Sequence, residues 1–184
     1  MTGVPLRLGL RFLLLGLLAI VGAAQAQPLE IQSTLPSATL SGHYRFTSWG
    51  FDIYEARLWV APGFKANEYE RHAFALELSY MRDFSNASIS KRSLEEMQRQ
   101  PDFPKAQLTS WQDALRNAFP DVHKGDRITG IYLPGKGTVF LTNGRETGAI
   151  ADAAFGRFFF GIWLSAQSSE PRLRAALLAG VPVR

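Results

Sequence analysis

The 184-residue chain contains no cysteine. Without thiols it can form no disulfide bond, no thiolate metal site and no cysteine nucleophile. A chain of this length can bury enough apolar surface to fold without such cross-links. We therefore expect stability to come from one hydrophobic core, in a single domain of ordinary size.

Concentrated charge and common site motifs are missing as well. Lys and Arg total 20 against 16 Asp and Glu, without a basic run or a basic-aromatic stripe, so nucleic acid is not an expected partner. His43, His72 and His123 are scattered and fit no metal-ligand spacing. The serine-hydrolase elbow and a complete phosphate loop are also lacking. The sequence therefore assigns no catalytic residue, no metal and no cofactor.

The N-terminal 26 residues have the layout of a secretory signal peptide. Arg7 and Arg11 precede an apolar run over residues 12–24, and Ala24-Gln25-Ala26 is typical of a cleavage site. The run is shorter than the roughly 20 residues that span a bilayer. We predict a signal peptide over residues 1–26, export to the periplasm, and no membrane span after cleavage.

The order of predicted strands and helices after residue 37 indicates an α+β domain over residues 38–184. A surface segment over residues 27–37, which is polar and contains two prolines, precedes this domain. Residues 73–80 alternate between apolar and other side chains, which predicts a half-buried strand. Turn residues and periodicity place the other elements. The remaining predicted strands are 39–46, 51–60, 127–133, 138–142 and 146–150, and the predicted helices are 85–100, 104–119, 152–164 and 170–178.

Arg45 is the most informative polar residue, because it lies within an apolar strand between Tyr44 and Phe46. Alternation places it on the face opposite these two neighbours. In a dry cleft the guanidinium would need an anion, such as the carboxylate of a ligand. A carboxylate of the chain itself, for example Glu55, could satisfy it equally well.

Several stretches together resemble the bacterial chalcone isomerase-like family. They include Gly-His-Tyr-Arg at 42–45 and a strand at 76–82. The other stretches are residues 51–59, 119–126 and 159–171. The resemblance implies an open-faced β-sandwich, in which a large antiparallel sheet is covered by a layer of helices and a ligand cleft lies between the two.

The resemblance also implies roles for two residues. In the plant enzymes of this fold an arginine of the first hairpin steers the substrate of a ring-closing isomerisation. In the non-catalytic branch the same arginine, together with a tyrosine, holds a fatty-acid carboxylate. Arg45 matches that arginine, and Tyr54 is the candidate for the tyrosine.

Three departures from the plant pattern argue against catalysis. Glu55, Ala56 and Arg57 stand where the plant pattern has a threonine, and Ala87 and Leu94 stand near the expected tyrosine and asparagine. The leading hypothesis is an exported, non-catalytic binder of a fatty acid or similar small amphiphile. The alternatives are an isomerase or lyase acting on a conjugated carbonyl, and a ligand-free interaction domain.

Overall fold

The computed structural model describes residues 26–182, so the predicted signal peptide over residues 1–26 lies almost wholly outside the described residues. Within residues 26–182 no helix is both long and apolar enough to cross a membrane. The order of strands and helices confirms the predicted α+β class. The strands are β1 Thr39–Ser48, β2 Phe51–Val60, β3 Phe74–Tyr80, β4 Arg127–Leu133, β5 Gly137–Thr142 and β6 Arg145–Ile150, and the helices are α1 Leu29–Thr34, α2 Asn86–Gln98, α3 Leu108–Ala118, α4 Ala153–Leu164 and α5 Pro171–Leu177.

The strands form one antiparallel sheet in the order β1-β2-β3-β4-β5-β6, so that each strand pairs with its neighbours in the sequence. Two of the connections are tight turns. Trp49 and Gly50 join β1 to β2 with φ angles of 52° and 78°. Both angles are positive, as a two-residue type I′ hairpin requires. The Asn143-Gly144 turn between β5 and β6 has the same form, with φ angles of 51° and 80°.

Helices α2 to α5 form the layer on one face of the sheet. Ser85 caps the N-terminus of α2, and its side chain accepts a hydrogen bond from the Ser88 amide. Asp152 caps α4 in the same way. Helix α5 lies so close to β1 that a Cβ added at Gly42 would be 2.0 Å from the Ala176 carbonyl oxygen. A glycine at position 42 therefore permits this close packing.

The opposite face of the sheet carries a second, smaller apolar cluster. Helix α1 lies in the expected surface segment over residues 27–37, yet its Ile31 is fully buried. Ile31 packs with Trp59, Ala75 and Ile131 of the sheet. Strand β3 is therefore buried on both faces, and the prediction of a half-buried strand over residues 73–80 was wrong. A short sequence pattern does not reveal that a distant helix covers the second face.

Candidate functional site

A cavity of about 460 Å³ lies between the sheet and the helical layer. Its walls come from the β1–β2 hairpin, the end of β3, and helices α2, α4 and α5. The walls are mostly apolar, and the polar and charged residues belong mainly to α2 and to the start of α5. The apolar and aromatic lining residues are Phe46, Trp49, Ile53, Tyr54, Leu78, Tyr80, Phe84, Ile89, Phe119, Ile128, Phe159, Ile162, Trp163 and Leu173.

Two tyrosines supply hydroxyl groups to this apolar wall. Tyr54 of β2 and Tyr80 of β3 are paired across neighbouring strands, and their rings pack edge to face with centroids 6.2 Å apart. Trp163 of α4 donates its indole N–H to the Tyr54 hydroxyl oxygen at 3.1 Å. That contact orients Tyr54 and leaves its own proton available for donation.

Both cavity tyrosines are strongly held in the neutral form. Burial raises the pKa of Tyr54 well above its ordinary value; the hydrogen bond from Trp163 opposes this, while Glu170 and Glu96 add to it. Burial, and then the neighbouring Tyr54, raises the pKa of Tyr80 in the same direction. These phenols can therefore act as neutral hydrogen-bond donors, and a phenolate base is unfavourable here.

Two other buried tyrosines donate their hydroxyl protons to backbone carbonyls. Tyr69 donates its hydroxyl to the Arg157 carbonyl at 2.7 Å, and Tyr132 donates to the Glu70 carbonyl at 2.9 Å. Tyr80 is only 7% exposed, yet its hydroxyl has no hydrogen-bond partner among residues 26–182. Because Tyr80 lines the cavity, its hydroxyl offers an unused donor there.

The charged residues at the cavity carry a net negative charge. Arg92 of α2 is the one cationic side chain that lines the cavity within residues 26–182. Its guanidinium lies 2.6 Å from a Glu96 carboxylate oxygen, and the other oxygen of Glu96 accepts a hydrogen bond from Ser169 at 2.8 Å. Glu170 adds a second lining carboxylate. The single guanidinium is thus already neutralised by the chain.

The tip of the β1–β2 hairpin exposes aromatic surface beside the cavity. Trp49 lines the cavity and is 96% exposed. Phe51 is 57% exposed, and the Arg82 guanidinium lies 4.3 Å from the centre of its ring. The hairpin tip therefore presents exposed aromatic surface next to a cavity-lining residue.

The structure does not bring the two predicted site residues together. Tyr54 lines the cavity, whereas Arg45 lies on the opposite face of the sheet. The β1–β2 register pairs Phe46 with Tyr54 and Arg45 with Glu55, so the alternation of side chains directs Arg45 away from the helices. Its side chain is 58% exposed and lies 3.7 Å from the Asp52 carboxylate.

On that opposite face Arg45 lies near a chain of ion pairs, which we call the charge network. The network joins Glu30 of α1 to the middle of the sheet. Its centre is the buried Glu77, which lies 3.1 Å from Arg57 and 3.5 Å from Arg127. Arg57 also contacts Glu55 at 2.7 Å, and Arg127 contacts Glu30. Each charged side chain of the network thus has an oppositely charged partner within the chain.

Sequence reasoning missed Tyr80, Arg92 and Trp163 as cavity residues. A signal for Tyr80 was present, because it alternates in phase with Leu76 and Leu78 and so belongs to the same face of β3. Trp163 belongs to the predicted helix over residues 152–164, whose sequence does not show which of its apolar side chains face a cavity. In α4, Phe159 and Trp163 do line the cavity, while Phe155, Phe158 and Phe160 are buried among other aromatic side chains.

The comparisons with known proteins agree with this architecture. The profile of the family described as chalcone isomerase-like matches residues 34–179. An uncharacterized protein of Haemophilus influenzae is 27% identical over 139 residues, which cover 74% of this chain and 66%, just under two thirds, of that protein. The crystal structure of a fatty-acid binding protein of Arabidopsis thaliana superposes with a TM-score of 0.58 at 10% identity, covering 78% of this chain and 87% of that one.

At 10% identity the plant structure shows a shared fold, which confirms the predicted open-faced arrangement of sheet and helices. The family profile covers most of the chain, including the cavity residues from Phe46 to Leu173. The chain belongs to the chalcone isomerase-like family.

Proposed function

We propose that this protein binds a small apolar or fatty ligand in the cavity between sheet and helices, without catalysing a reaction on it. The observation that carries the proposal is the cavity itself. Its volume of about 460 Å³ is within the roughly 300–1,000 Å³ typical of small-molecule sites. A mostly apolar wall with a few polar groups is also typical of such sites.

The expected affinity follows from the burial of an acyl chain. Each buried methylene gains roughly 0.8 kcal/mol, so about a dozen give roughly 10 kcal/mol before costs. Association and ordering consume at least about 4 kcal/mol. One or two hydrogen bonds to the tyrosines add about 1 kcal/mol each. The remainder corresponds to dissociation constants of roughly micromolar order.

The structural neighbour supports the choice of a fatty ligand. That neighbour is named as a fatty-acid binding protein, and it shares the arrangement of a sheet covered by helices. Binding of a fatty ligand is therefore compatible with this fold. The side chains at the site are this chain's own, and they decide which head group is accepted.

The composition of the cavity supports binding rather than chemistry. Ala56 is fully buried in the core, and Leu94 of α2 is buried as well, so neither position presents a polar reactive group. The tyrosines stay neutral, as described above. An isomerase of the chalcone type would accelerate the loss of the chalcone chromophore; we expect no acceleration above the spontaneous rate with hydroxychalcones.

Binding is tested by blocking the cavity. Native mass spectrometry of the gently purified protein is expected to detect a co-purified lipid, and titration with a neutral fluorescent probe such as Nile red measures the site directly. Ile89→Trp, which fills the α2 wall of the cavity, is expected to weaken probe binding at least about tenfold. Leu29→Trp makes the same kind of change on the exposed side of α1 and serves as the matched control.

Two outcomes would contradict this proposal. One is a protein that carries no lipid and takes up no probe. The other is probe binding that Ile89→Trp and Leu29→Trp leave equally unchanged, because the probe would then be bound outside the cavity. Circular dichroism of both variants verifies that each one is folded.

We also propose that the protein is exported to the periplasm after cleavage of residues 1–26. The support is the arrangement of Arg7, Arg11, the apolar run and Ala24-Gln25-Ala26. N-terminal sequencing of the protein from a periplasmic extract is expected to begin at Gln27. Recovery of the uncleaved chain from the cytoplasmic fraction would contradict export.

A further inference from the structure

We propose that the ligand of this cavity is a neutral amphiphile with a hydrogen-bond acceptor, such as an ester or ketone on an alkyl chain, rather than a fatty-acid anion. This inference rests on the function proposed above and specifies its ligand class. It depends on three features of the cavity: the unused tyrosine donor, the paired guanidinium and the excess of carboxylates.

The donors inside the cavity are neutral. Tyr80 is 7% exposed and has no acceptor among residues 26–182, while Tyr54 is oriented by Trp163 and keeps its proton free. Tyr69 and Tyr132, which lie elsewhere in the fold, both donate to backbone carbonyls. A carbonyl oxygen of a ligand would satisfy the cavity tyrosines in the way that the backbone satisfies the other two.

A free cation for a carboxylate is lacking among the described lining residues. Arg92 is held 2.6 Å from Glu96 and also lies 3.7 Å from Glu95. A ligand carboxylate would compete with Glu96 for Arg92. Glu96 is 8% exposed and would then keep only Arg99, at 3.5 Å, and the hydrogen bond from Ser169. Weakening the closest ion pair of a buried carboxylate is unfavourable.

The electrostatic potential of the lining charges also disfavours binding of an anion. Glu96 and Glu170 line the cavity together with one guanidinium. At the Tyr54 hydroxyl each of these two carboxylates raises the pKa by more than Arg92 lowers it. A carboxylate placed near Tyr54 would experience the same repulsion, whereas a neutral carbonyl would not. Arg45, the other candidate anchor, lies on the opposite face of the sheet and pairs with Asp52.

The inference is tested with three probes of equal chain length: methyl dodecanoate, dodecanoate and dodecane. Each probe is titrated against Nile red bound to the purified protein at pH 7.5, and displacement of the dye gives its affinity. We expect the ester to bind at least about tenfold more tightly than the carboxylate, because only the carboxylate loses its hydration without gaining a cation. We expect Glu170→Gln, which removes one lining carboxylate at an exposed position, to improve dodecanoate binding about two- to threefold and to affect ester binding less.

The tyrosine donor is tested by removing one oxygen atom. Tyr80→Phe is expected to weaken ester binding about fivefold, the value of one neutral hydrogen bond, and to change dodecane binding less than twofold. Tyr132→Phe removes a hydroxyl that is hydrogen-bonded to the backbone outside the cavity. It is the matched control and is expected to change neither ester binding nor dodecane binding.

The outcomes separate the two proposals. If dodecanoate binds as tightly as the ester, or if Tyr80→Phe leaves ester binding unchanged, the neutral ligand class is overturned while cavity binding stands. If none of the three probes displaces Nile red from the folded protein, the proposed function fails and this inference fails with it.

Discussion

The two faces of the sheet differ in the polar groups that they bury. On the face covered by α1, Glu77 is buried between two arginines, each of which has a second carboxylate partner. On the face covered by α2 to α5, Tyr80 is buried beside a cavity with an unused donor. A network closed within the chain supports structure, whereas an unsatisfied donor in an open cavity is available to a ligand. The following four predictions test this difference.

The largest expected effect is on the charge network. Glu77→Ala leaves Arg57 and Arg127 without their shared buried carboxylate and should lower the free energy of unfolding by about 3–5 kcal/mol. Urea denaturation measures this loss. Asp52→Ala, which breaks the exposed pair with Arg45, is the control and should cost less than about 1 kcal/mol. Equal, small losses for both variants would show that the network is not a structural element.

Truncation of one isoleucine on each face is the next comparison. Ile31 is fully buried under α1, so Ile31→Ala should cost about 2–3 kcal/mol. Ile89 is half-buried and already borders open space in the cavity, so Ile89→Ala should cost less than about 1.5 kcal/mol. Both values come from urea denaturation. A larger cost at Ile89 than at Ile31 would mean that the cavity is closed in solution.

Alkaline pH should destabilise the face with the cavity. Because the pKa values of Tyr54 and Tyr80 are raised in the folded state, the folded protein keeps these protons after the unfolded chain loses them near pH 10. The contribution of each tyrosine to stability is therefore fully present below about pH 10 and is lost as the pH rises further.

At pH 11 the expected loss is about 1 kcal/mol per tyrosine. Urea denaturation at pH 8 and pH 11 measures it, and the double variant Tyr54→Phe/Tyr80→Phe should show a correspondingly smaller pH dependence. If the double variant loses as much stability between the two pH values as the parent, the cavity tyrosines ionise freely in the folded state.

The smallest expected effect is that of Arg45 on binding. Because Arg45 lies on the face away from the cavity, Arg45→Ala should change the affinity for Nile red and methyl dodecanoate less than about twofold. Displacement titrations of the two proteins measure this ratio. A loss of affinity of fivefold or more would mean that Arg45 contributes to the site and that the hairpin changes its register in solution.

Much of the fold could be predicted from local chemistry. Trp49-Gly50 and Asn143-Gly144 occupy turns that demand positive φ angles. The apolar stretch ending at Leu164 forms a helix that Asp152 caps. These features depend on residues close together in the chain. The predicted family and class followed from their order, and both are confirmed.

The candidate site could be predicted only in part. Tyr54 was assigned to the site, and it does line the cavity. Arg45 was assigned beside it, yet the strand register pairs Arg45 with Glu55 on the other face. Alternation alone separates Arg45 from Phe46, but it does not state which of the two faces the helices.

The sequence by itself determined the strands, helices α2 to α5, the tight turns and the family resemblance, since these arise from neighbouring residues and their order. Only the tertiary structure decided which face of the sheet has the cavity and that α1 covers the other face. It also decided that Tyr80, Arg92 and Trp163, from three different elements, line one cavity. The physical reason is that a site between layers depends on strand register and helix placement, which are set by contacts between residues far apart in the chain.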